Sequence, residues 1–268
     1  MAFYGCEFSF DGVSSNDMGL MVYNFGSNTQ DDISFTSAGS IVEDKIAGRY
    51  DTFFYGVEQN ESLTYTLVFG LDTYNLDRGL HLDRYDVETI ASWLTGHNSR
   101  KWLEITQPDM ETFRYKCIIS ELQLITYGEL PWAFSCKVTC DSPFAYTHPE
   151  SFFFDVSGSL ATSFFNRSTY NGYFKPGMII ETSGGGSVSI TNKTDGDRVF
   201  MFENLPAGDL RIVIDNQNQV IYEENYGLNM YAYFNFNFLR LVRGENELEF
   251  EGDCVVEFIC EFPVNIGA

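Results

Sequence analysis

The sequence has few cationic residues for a chain of 268. Lysine and arginine together number 16, whereas aspartate and glutamate number 38, so the formal net charge is −22. Proteins that bind nucleic acids draw much of their affinity from cationic side chains that neutralise phosphates. The composition therefore argues against a nucleic-acid-binding protein. The acidity is typical of a highly soluble protein, and it would also suit a surface that repels a polyanion.

Long apolar runs and an export signal are also missing. No stretch approaches the roughly 18 apolar residues of a membrane-spanning helix. The opening MAFYGCEFSFDG contains neither a basic segment nor an apolar one, so it does not resemble a signal peptide. We therefore expect a protein that has no membrane partner and is not exported by a signal peptide.

Cysteine is scarce, and its spacing does not indicate a metal or redox motif. The six cysteines include no C-x-x-C pair. Cys136 with Cys140 and Cys254 with Cys260 fall in strand-like runs, where an advance of about 3.3 Å per residue separates the sulfurs too far for a local disulfide. The pattern predicts buried free thiols, as in a protein assembled in a reducing compartment. It leaves open a disulfide between cysteines distant in sequence.

Catalytic motifs are absent as well. The three histidines, His81, His97 and His148, are scattered, and no nucleophile elbow, zinc-protease motif or phosphate-binding loop occurs. With 38 carboxylates, some pair would lie at glycosidase spacing by chance, so their abundance does not indicate a catalytic dyad. The sequence predicts no catalytic residue, no cofactor and no metal ligand, and hence a protein that is not an enzyme.

Two segments resemble binding loops only superficially. The glycine run at 184–186 lacks the lysine and the Ser/Thr of a phosphate-binding loop. The polar run at 215–219 lacks the glycine and the terminal glutamate of a calcium loop. A tight connection and a polar hairpin turn, respectively, explain these segments better.

Aromatic and other apolar residues, in contrast, are abundant. Hydrophobic residues make up 44% of the chain and aromatic residues 16%, including 25 Phe and 16 Tyr. This composition favours half-buried sheets, so we expect a mainly β fold. The chain is long enough for two domains, and the segment 141–149, with Pro143 and Pro149 and no periodicity, is the candidate boundary. The predicted domains are 1–141 and 150–268.

Periodicity predicts three elements in the first domain. Apolar residues alternate with polar ones at 62–71 and at Leu130–Cys140, which predicts two strands that each turn one side to the core. Arg84–Thr95 has apolar residues at helical spacing, between the N-cap candidate Asp83 and Gly96 as the expected C′ residue. The first domain is thus predicted to be a β-sandwich or split barrel with one amphipathic helix.

Short strands separated by turn signals predict a β-sandwich or jelly roll in the second domain. The predicted strands lie at 188–191, 199–202, 210–214, 248–251 and 255–262.

The aromatic-rich segment 225–240 has two interpretations. Its aromatic side chains, Tyr231, Tyr233, Phe234, Phe236 and Phe238, could form a platform for a sugar. Alternatively, the segment is a strand with phenylalanine inward and asparagine outward, and we favour this simpler interpretation.

Several short segments follow one another in an order shared with a known protein family. In the first half they are the run FSFDGVSSNDMGL at 8–20, the strand at 63–71, the helix ending in Trp93-Leu94, and the strands at 113–126 and 132–140. In the second half they are KPG at 175–177, ITN at 190–192, IVIDN at 212–216 and FLRLVRGENEL at 238–248. The pattern L-x-x-G-x-N-x-L in the last run is the most specific. Together these segments resemble the distal tail proteins of siphophages.

The resemblance implies a structural protein of a phage tail tip or baseplate. In this family the N-terminal domain forms a six-membered ring around the DNA channel, and a galectin-like β-sandwich projects outward. We therefore expect a homo-hexamer in the virion, assembled in the host cytoplasm, that contacts the tail tube protein and the baseplate hub protein. Receptor-binding proteins are further candidate partners. DNA would pass through an acidic bore without specific binding.

Two other functions remain open. One is a carbohydrate-binding β-sandwich module that contacts the host surface, because sandwiches with exposed aromatic residues often bind glycans. The other is a secreted glycoside hydrolase. The fold alone does not decide between them and a scaffold.

The irregular stretch 24–49 is the candidate oligomer interface. It has weak strand signals and isolated apolar residues, namely Ile33, Phe35, Ile41, Val42 and Ile46. A segment of this kind buries little within its own domain. We therefore predict that it is an arm that reaches a neighbouring copy in a closed ring. A mobile surface loop is the alternative.

Overall fold

The computed structural model describes residues 7–23, 40–58, 62–72, 81–106 and 111–265. Contacts divide this part of the chain into two compact units. One contains the residues up to Tyr146 together with Asn265, and the other spans Thr147–Val264. The described residues confirm the prediction of a mainly β fold with one α-helix. No helix among them combines the length and the apolar character needed to cross a bilayer.

The described part of the first unit contains ten strands, a short 3-10 helix (Asn16–Met18) and helix α1 (Arg84–Thr95). In chain order the strands are β1 (Glu7–Phe10), β2 (Val13–Ser14), β3 (Leu20–Val22), β4 (Ser40–Asp44), β5 (Phe53–Glu58), β6 (Thr64–Leu71), β7 (Lys101–Thr106), β8 (Phe113–Tyr127), β9 (Leu130–Cys140) and β10 (Ala145–Tyr146).

The main sheet of this unit is antiparallel and curled. Its strand order is β2-β1-β7-β8-β9-β6-β3. Strands far apart in this order are in contact. The ring of Phe8 in β1 lies 5.2 Å from the ring of Phe69 in β6. Ser15 joins the two ends, since its Oγ accepts a hydrogen bond from Phe8 N at 3.1 Å and its carbonyl accepts one from Leu20 N at 2.8 Å. The sheet is therefore a partly closed barrel.

The two strands predicted from alternation are present and turn the predicted sides to the core. Leu67 and Phe69 of β6 are buried, and so are Phe134 and Val138 of β9. The rings of Phe69 and Phe134 stack across these paired strands with their centroids 5.5 Å apart.

Helix α1 has the predicted bounds and the predicted N-cap. Asp83 Oδ1 accepts hydrogen bonds from Tyr85 N and Asp86 N, both at 2.8 Å, and Asp86 Oδ2 accepts one from Asp83 N at 3.1 Å. This reciprocal arrangement is a capping box. The prediction for Gly96 was wrong. Its φ is −74°, and its N–H continues the helical pattern by donating to the carbonyl of Ser92, so the helix ends without a left-handed glycine.

The apolar stripe of α1 packs on the curled sheet. Ile90 and Leu94 are buried. Trp93 stacks on Phe8 with the ring centroids 5.7 Å apart, and its Nε1 donates a hydrogen bond to the carbonyl of Phe10 at 3.0 Å. The helix thereby covers the core at β1.

The second unit contains eight strands among the described residues. They are β11 (Glu150–Asn166), β12 (Gly177–Thr182), β13 (Gly186–Asn192), β14 (Arg198–Leu205), β15 (Leu210–Asp215), β16 (Val220–Glu223), β17 (Gly244–Cys260) and β18 (Pro263–Val264). Short 3-10 helices lie at Lys193–Asp195 and Met230–Ala232.

One long ladder organises this unit. β11 and β17 each have 17 residues and pair antiparallel over their whole lengths, with Gly158 opposite Gly252 at the centre. Both glycines have positive φ, 77° and 117°. The prediction of two separate strands at 248–251 and 255–262 was therefore wrong. They are two halves of β17, and the glycine between them marks a bend.

The bend at the glycine pair folds the ladder over itself. Phe152 and Phe164 lie in opposite halves of β11, yet their ring centroids are 5.0 Å apart. Phe154 stacks on Phe250 at 4.7 Å and contacts Phe258 at 4.9 Å, and these two residues flank the bend of β17. Along β17, β13 pairs with the half before Gly252 and β12 with the half after it. The result is the predicted β-sandwich.

Buried asparagine side chains hold the connection between β16 and β17. Asn246 Oδ1 accepts hydrogen bonds from Asn192 Nδ2 at 3.0 Å and Val242 N at 2.9 Å. Asn216 Nδ2 donates to the carbonyl of Pro176 at 2.8 Å, and its Oδ1 accepts from Leu239 N at 2.9 Å. All three amides are fully buried. They lie in the ITN, IVIDN and L-x-x-G-x-N-x-L segments, which gives those segments a structural role.

The thiols of the five described cysteines, Cys117, Cys136, Cys140, Cys254 and Cys260, are free and buried, as predicted. Burial raises the pKa of Cys136 and Cys140 to about 12 and the pKa of Cys254 to about 11. Cys6 lies outside the described residues.

We expect Leu94→Asp to destabilise the protein strongly, because Leu94 is buried. An unpaired carboxylate at this position should lower the free energy of unfolding by about 3–5 kcal/mol. The control is Ser92→Asp at an exposed position on the same helix, which should change it by less than about 1 kcal/mol. Thermal unfolding followed by circular dichroism measures both. Equal melting temperatures for the two variants would contradict the placement of α1.

The bend of the ladder gives a second matched pair of variants. A Cβ at residue 252 would lie 2.7 Å from the carbonyl oxygen of Ser187, whereas one at residue 158 would have no atom within 4 Å. Gly158→Ala should cost about 1–2 kcal/mol for its left-handed backbone alone. Gly252→Ala should cost about 3 kcal/mol or more, because the clash adds to the backbone strain. Urea unfolding at equilibrium compares the two, and a larger loss for Gly158→Ala would refute the close approach of β13.

Candidate interaction surfaces

No catalytic or metal-binding constellation is present among the described residues. No three His, Cys, Asp or Glu side chains in this part of the chain are placed to hold a metal ion. His97 Nε2 bonds to the carbonyl of Trp93 at 2.8 Å, so this histidine helps to end α1. Asp215 accepts hydrogen bonds from the backbone N–H and the side-chain amide of Asn218, so the polar run at 215–219 is the turn between β15 and β16.

The β4–β5 hairpin is the most conspicuous apolar surface. Among the described residues, these two strands pair only with each other and form a sheet of their own. Ile41 lies opposite Val57, and both side chains are exposed. The register shift between Val42 and Glu43 places Phe54 opposite Glu43, so Phe54 shares a face with Ile41 and Val57. Phe53, opposite Asp44, lies on the other face and is also exposed. The hairpin therefore carries large apolar side chains on both faces.

Polar contacts fix the loop between β4 and β5. The guanidinium of Arg49 binds both carboxylate oxygens of Asp51, at 2.8 and 3.1 Å, and lies over the ring of Phe53 at 4.2 Å. The hydrogen bonds from Arg49 lower the pKa of the Asp51 carboxyl. Thr52 Oγ1 donates to Glu43 at 2.8 Å and ties the two strand ends together. These contacts favour a defined hairpin over an unstructured loop.

The predicted interface residues fall into three groups. Ile41 and Ile46 are exposed by 64% and 50%, and Val42 is partly buried. Ile33 and Phe35 lie outside the described residues. The predicted set does not include the exposed apolar residues of β5, although the run Phe53-Phe54-Tyr55 is visible in the sequence.

A second apolar surface lies at the tip of the β8–β9 hairpin. The register of this pair shifts at Glu121, a non-glycine residue with a positive φ of 53°. Beyond this bulge Leu124 and Tyr127 are exposed, and Leu130 is exposed across the two-residue turn at 128–129. Bulges of this kind bend a strand and re-aim its end.

The aromatic segment on the second unit is neither a strand nor a continuous platform. Phe234 and Phe238 are buried, whereas Phe236 is exposed. The strand interpretation was wrong, because Met230–Ala232 form a 3-10 helix and Phe236 has a positive φ of 61°. The predicted alternation of inward phenylalanine and outward asparagine therefore fails at Phe236.

Two family models match the chain. One, described as a phage tail protein N-terminal domain, matches residues 3–142, and the other, described as a phage tail C-terminal domain, matches residues 144–260. No curated protein sequence matches.

Solved structures with the same fold cover nearly the whole chain. The Dit protein of phage SPP1, a hub adsorption apparatus protein of a phage infecting Gram-positive bacteria, superposes with a TM-score of 0.66 at 11% identity, over 96% of this chain and 98% of its own. A chain of the phage p2 baseplate in its activated conformation with strontium gives a TM-score of 0.52 at 10% identity, over 95% and 97%. The corresponding chain in the calcium form gives 0.51 at 10% identity, over 94% and 97%.

Proposed function

Because the chain belongs to the family of phage tail proteins whose N- and C-terminal domain models match it, we propose that it is a ring-forming structural subunit of the tail tip. Six copies close around the DNA channel, between the tail tube protein and the baseplate hub protein. The support is the fold shared with a hub protein of SPP1 and with a baseplate chain of p2. The subunit has no catalytic role, assembles in the host cytoplasm and remains in the virion.

The exposed apolar residues of the β4–β5 hairpin are the main structural support for the proposed ring. An isolated two-stranded hairpin is only marginally stable in water, and apolar side chains on both faces make it more costly to leave uncovered. A neighbouring copy that covers Ile41, Phe54 and Val57 would remove this cost. A contact between one patch and a different patch on the next copy is heterologous, and it closes into a ring when the rotation fits. The tip of β8–β9 is a second surface available for such contacts.

The charge of the chain fits a conduit for DNA. Each copy has a net charge of −22, and a ring of six multiplies this charge sixfold. DNA has one negative charge per about 1.7 Å of its axis, so like charges keep it from adhering to the bore. Passage without specific binding follows from this repulsion.

A free-standing carbohydrate-binding module or a secreted glycoside hydrolase has less support. Both units match phage tail protein models. A receptor-binding protein docked on the second unit is compatible with the ring, since the ring contacts proposed here lie in the first unit.

We expect the double variant Ile41→Asp/Val57→Asp to abolish ring formation by the full-length protein. These residues face each other across β4 and β5, so two carboxylates would place charge in the centre of the contact at a cost of about 2–5 kcal/mol per interface. Light scattering over a range of protein concentrations, with tail tube or hub protein added where the subunit alone is monomeric, measures the assembly.

The matched control is Val220→Asp/Tyr222→Asp, which changes two exposed apolar residues of β16 in the other unit. The control should assemble like the parent protein, and circular dichroism should show both variants folded. Rings that persist in Ile41→Asp/Val57→Asp would exclude the hairpin as the interface. A parent protein that stays monomeric with both partners present would refute the ring itself.

A further inference from the structure

Phe236 of the second unit is exposed and has a strained backbone conformation, which lowers stability. Its φ of 61° lies in the left-handed region, where a bulky residue is a true outlier. Its side chain is nevertheless 64% exposed, so the strain is not offset by burial of the ring. Backbone outliers of this kind cluster at functional sites and persist only where the surrounding structure enforces them.

The surrounding structure does enforce this conformation. Asn235 Oδ1 accepts hydrogen bonds from Met201 N at 3.3 Å and Asn237 N at 3.1 Å, and its Nδ2 donates to the carbonyl of Val199 at 2.9 Å. Next to Asn235, the buried ring of Phe234 packs against Phe200 and Phe202 of β14. The backbone before Phe236 is thus tied to β14, and after it the carbonyl of Phe238 accepts a hydrogen bond from Arg198 Nε of β14 at 3.2 Å.

A second ring is held next to Phe236 in a similar orientation. The Tyr231 and Phe236 rings have centroids 6.1 Å apart and an angle of 21° between their planes. The hydroxyl of Tyr231 accepts a hydrogen bond from Ile221 N and donates one to the carbonyl of Gln219, both at 3.0 Å. The Tyr231 ring and the backbone at Phe236 are therefore fixed before any ligand arrives, which lowers the entropic cost of binding.

A small polar cavity lies in the same segment, and four of its lining residues fall between Tyr231 and Phe236 in the sequence. Its volume is about 330 Å³, within the range of ligand pockets. Its lining residues are Glu203, Asn204, Ala232, Tyr233, Phe234 and Asn235. Asn204 also has a positive φ, 55°. Carboxylate, amide and aromatic residues thus line the cavity.

From this arrangement we propose that the second unit binds a neutral saccharide at Phe236 and Tyr231. The C–H face of a pyranose ring packs on an aromatic ring, and its hydroxyls hydrogen-bond to carboxylate and amide groups such as those of Glu203 and Asn204. The carboxylate of Glu203 and the net charge of −22 disfavour an anionic ligand. The site lies in the unit that does not carry the β4–β5 hairpin, so saccharide binding and ring formation are independent properties.

The test is calorimetric titration of the full-length protein with maltotetraose, cellotetraose, chitotetraose and a β-galactan oligosaccharide, with polygalacturonate as the anionic comparison. We expect at least one neutral oligosaccharide to bind. Phe236→Ala should weaken that binding roughly tenfold or more, because it removes the stacking surface. The matched control is Phe165→Ala, since Phe165 is also 64% exposed but lies on β11, and it should bind like the parent protein.

A further variant separates loss of the ring from loss of the fold. Phe236→Gly removes the ring and relieves the backbone strain at φ 61°, so it should unfold at or above the temperature of the parent protein and still lose binding. The proposal is overturned if no neutral oligosaccharide binds, if only polygalacturonate binds, or if Phe236→Gly retains the parent affinity.

Discussion

The pairing of β11 with β17 is the constraint on which the second unit depends. β12 and β13 pair directly with β17, and β14, β15 and β16 attach through these two strands. Because the ladder bends at Gly158 and Gly252, one pair of strands contributes to both layers of the sandwich. Its inward phenylalanines then meet their counterparts from the other half of the same strands. A straight ladder would leave this aromatic face exposed to water. The bend therefore allows the two halves of the ladder to bury their phenylalanines against each other.

The elements that could be predicted from the sequence are those whose apolar period is uninterrupted. Helix α1 and the strands β6 and β9 keep a regular spacing over eight residues or more, and the structure has them near or at the predicted bounds. The ladder was not predictable in the same way. Gly252 resembles a turn between two short strands, and the run Phe152-Phe153-Phe154 hides the alternation of β11. Whether a glycine ends a strand or bends it depends on pairing with a distant strand, which local sequence does not contain.

The candidate surfaces were predictable to a smaller extent. Isolated apolar residues in a weakly periodic stretch identified Ile41 and Ile46, and both are exposed on or beside the hairpin. Phe236 was interpreted as an inward residue because it alternates with Asn235 and Asn237. Its actual direction follows from the bonds of Asn235 to β14. Alternation treats asparagine as a polar surface residue, whereas here the amide of Asn235 serves as a partner for partly buried backbone groups of β14, which need one.

The location of the thiols bears on how long such a protein lasts once it leaves the cell. Oxidants attack the thiolate and not the thiol, and burial keeps Cys136, Cys140 and Cys254 protonated far above neutral pH. A phage particle has neither a reductase to reverse sulfenic acid nor a ribosome to replace a subunit that has reached the irreversible sulfonic acid. Because these thiols are buried and stay protonated, their oxidation is slow, and these parts of the chain last without repair.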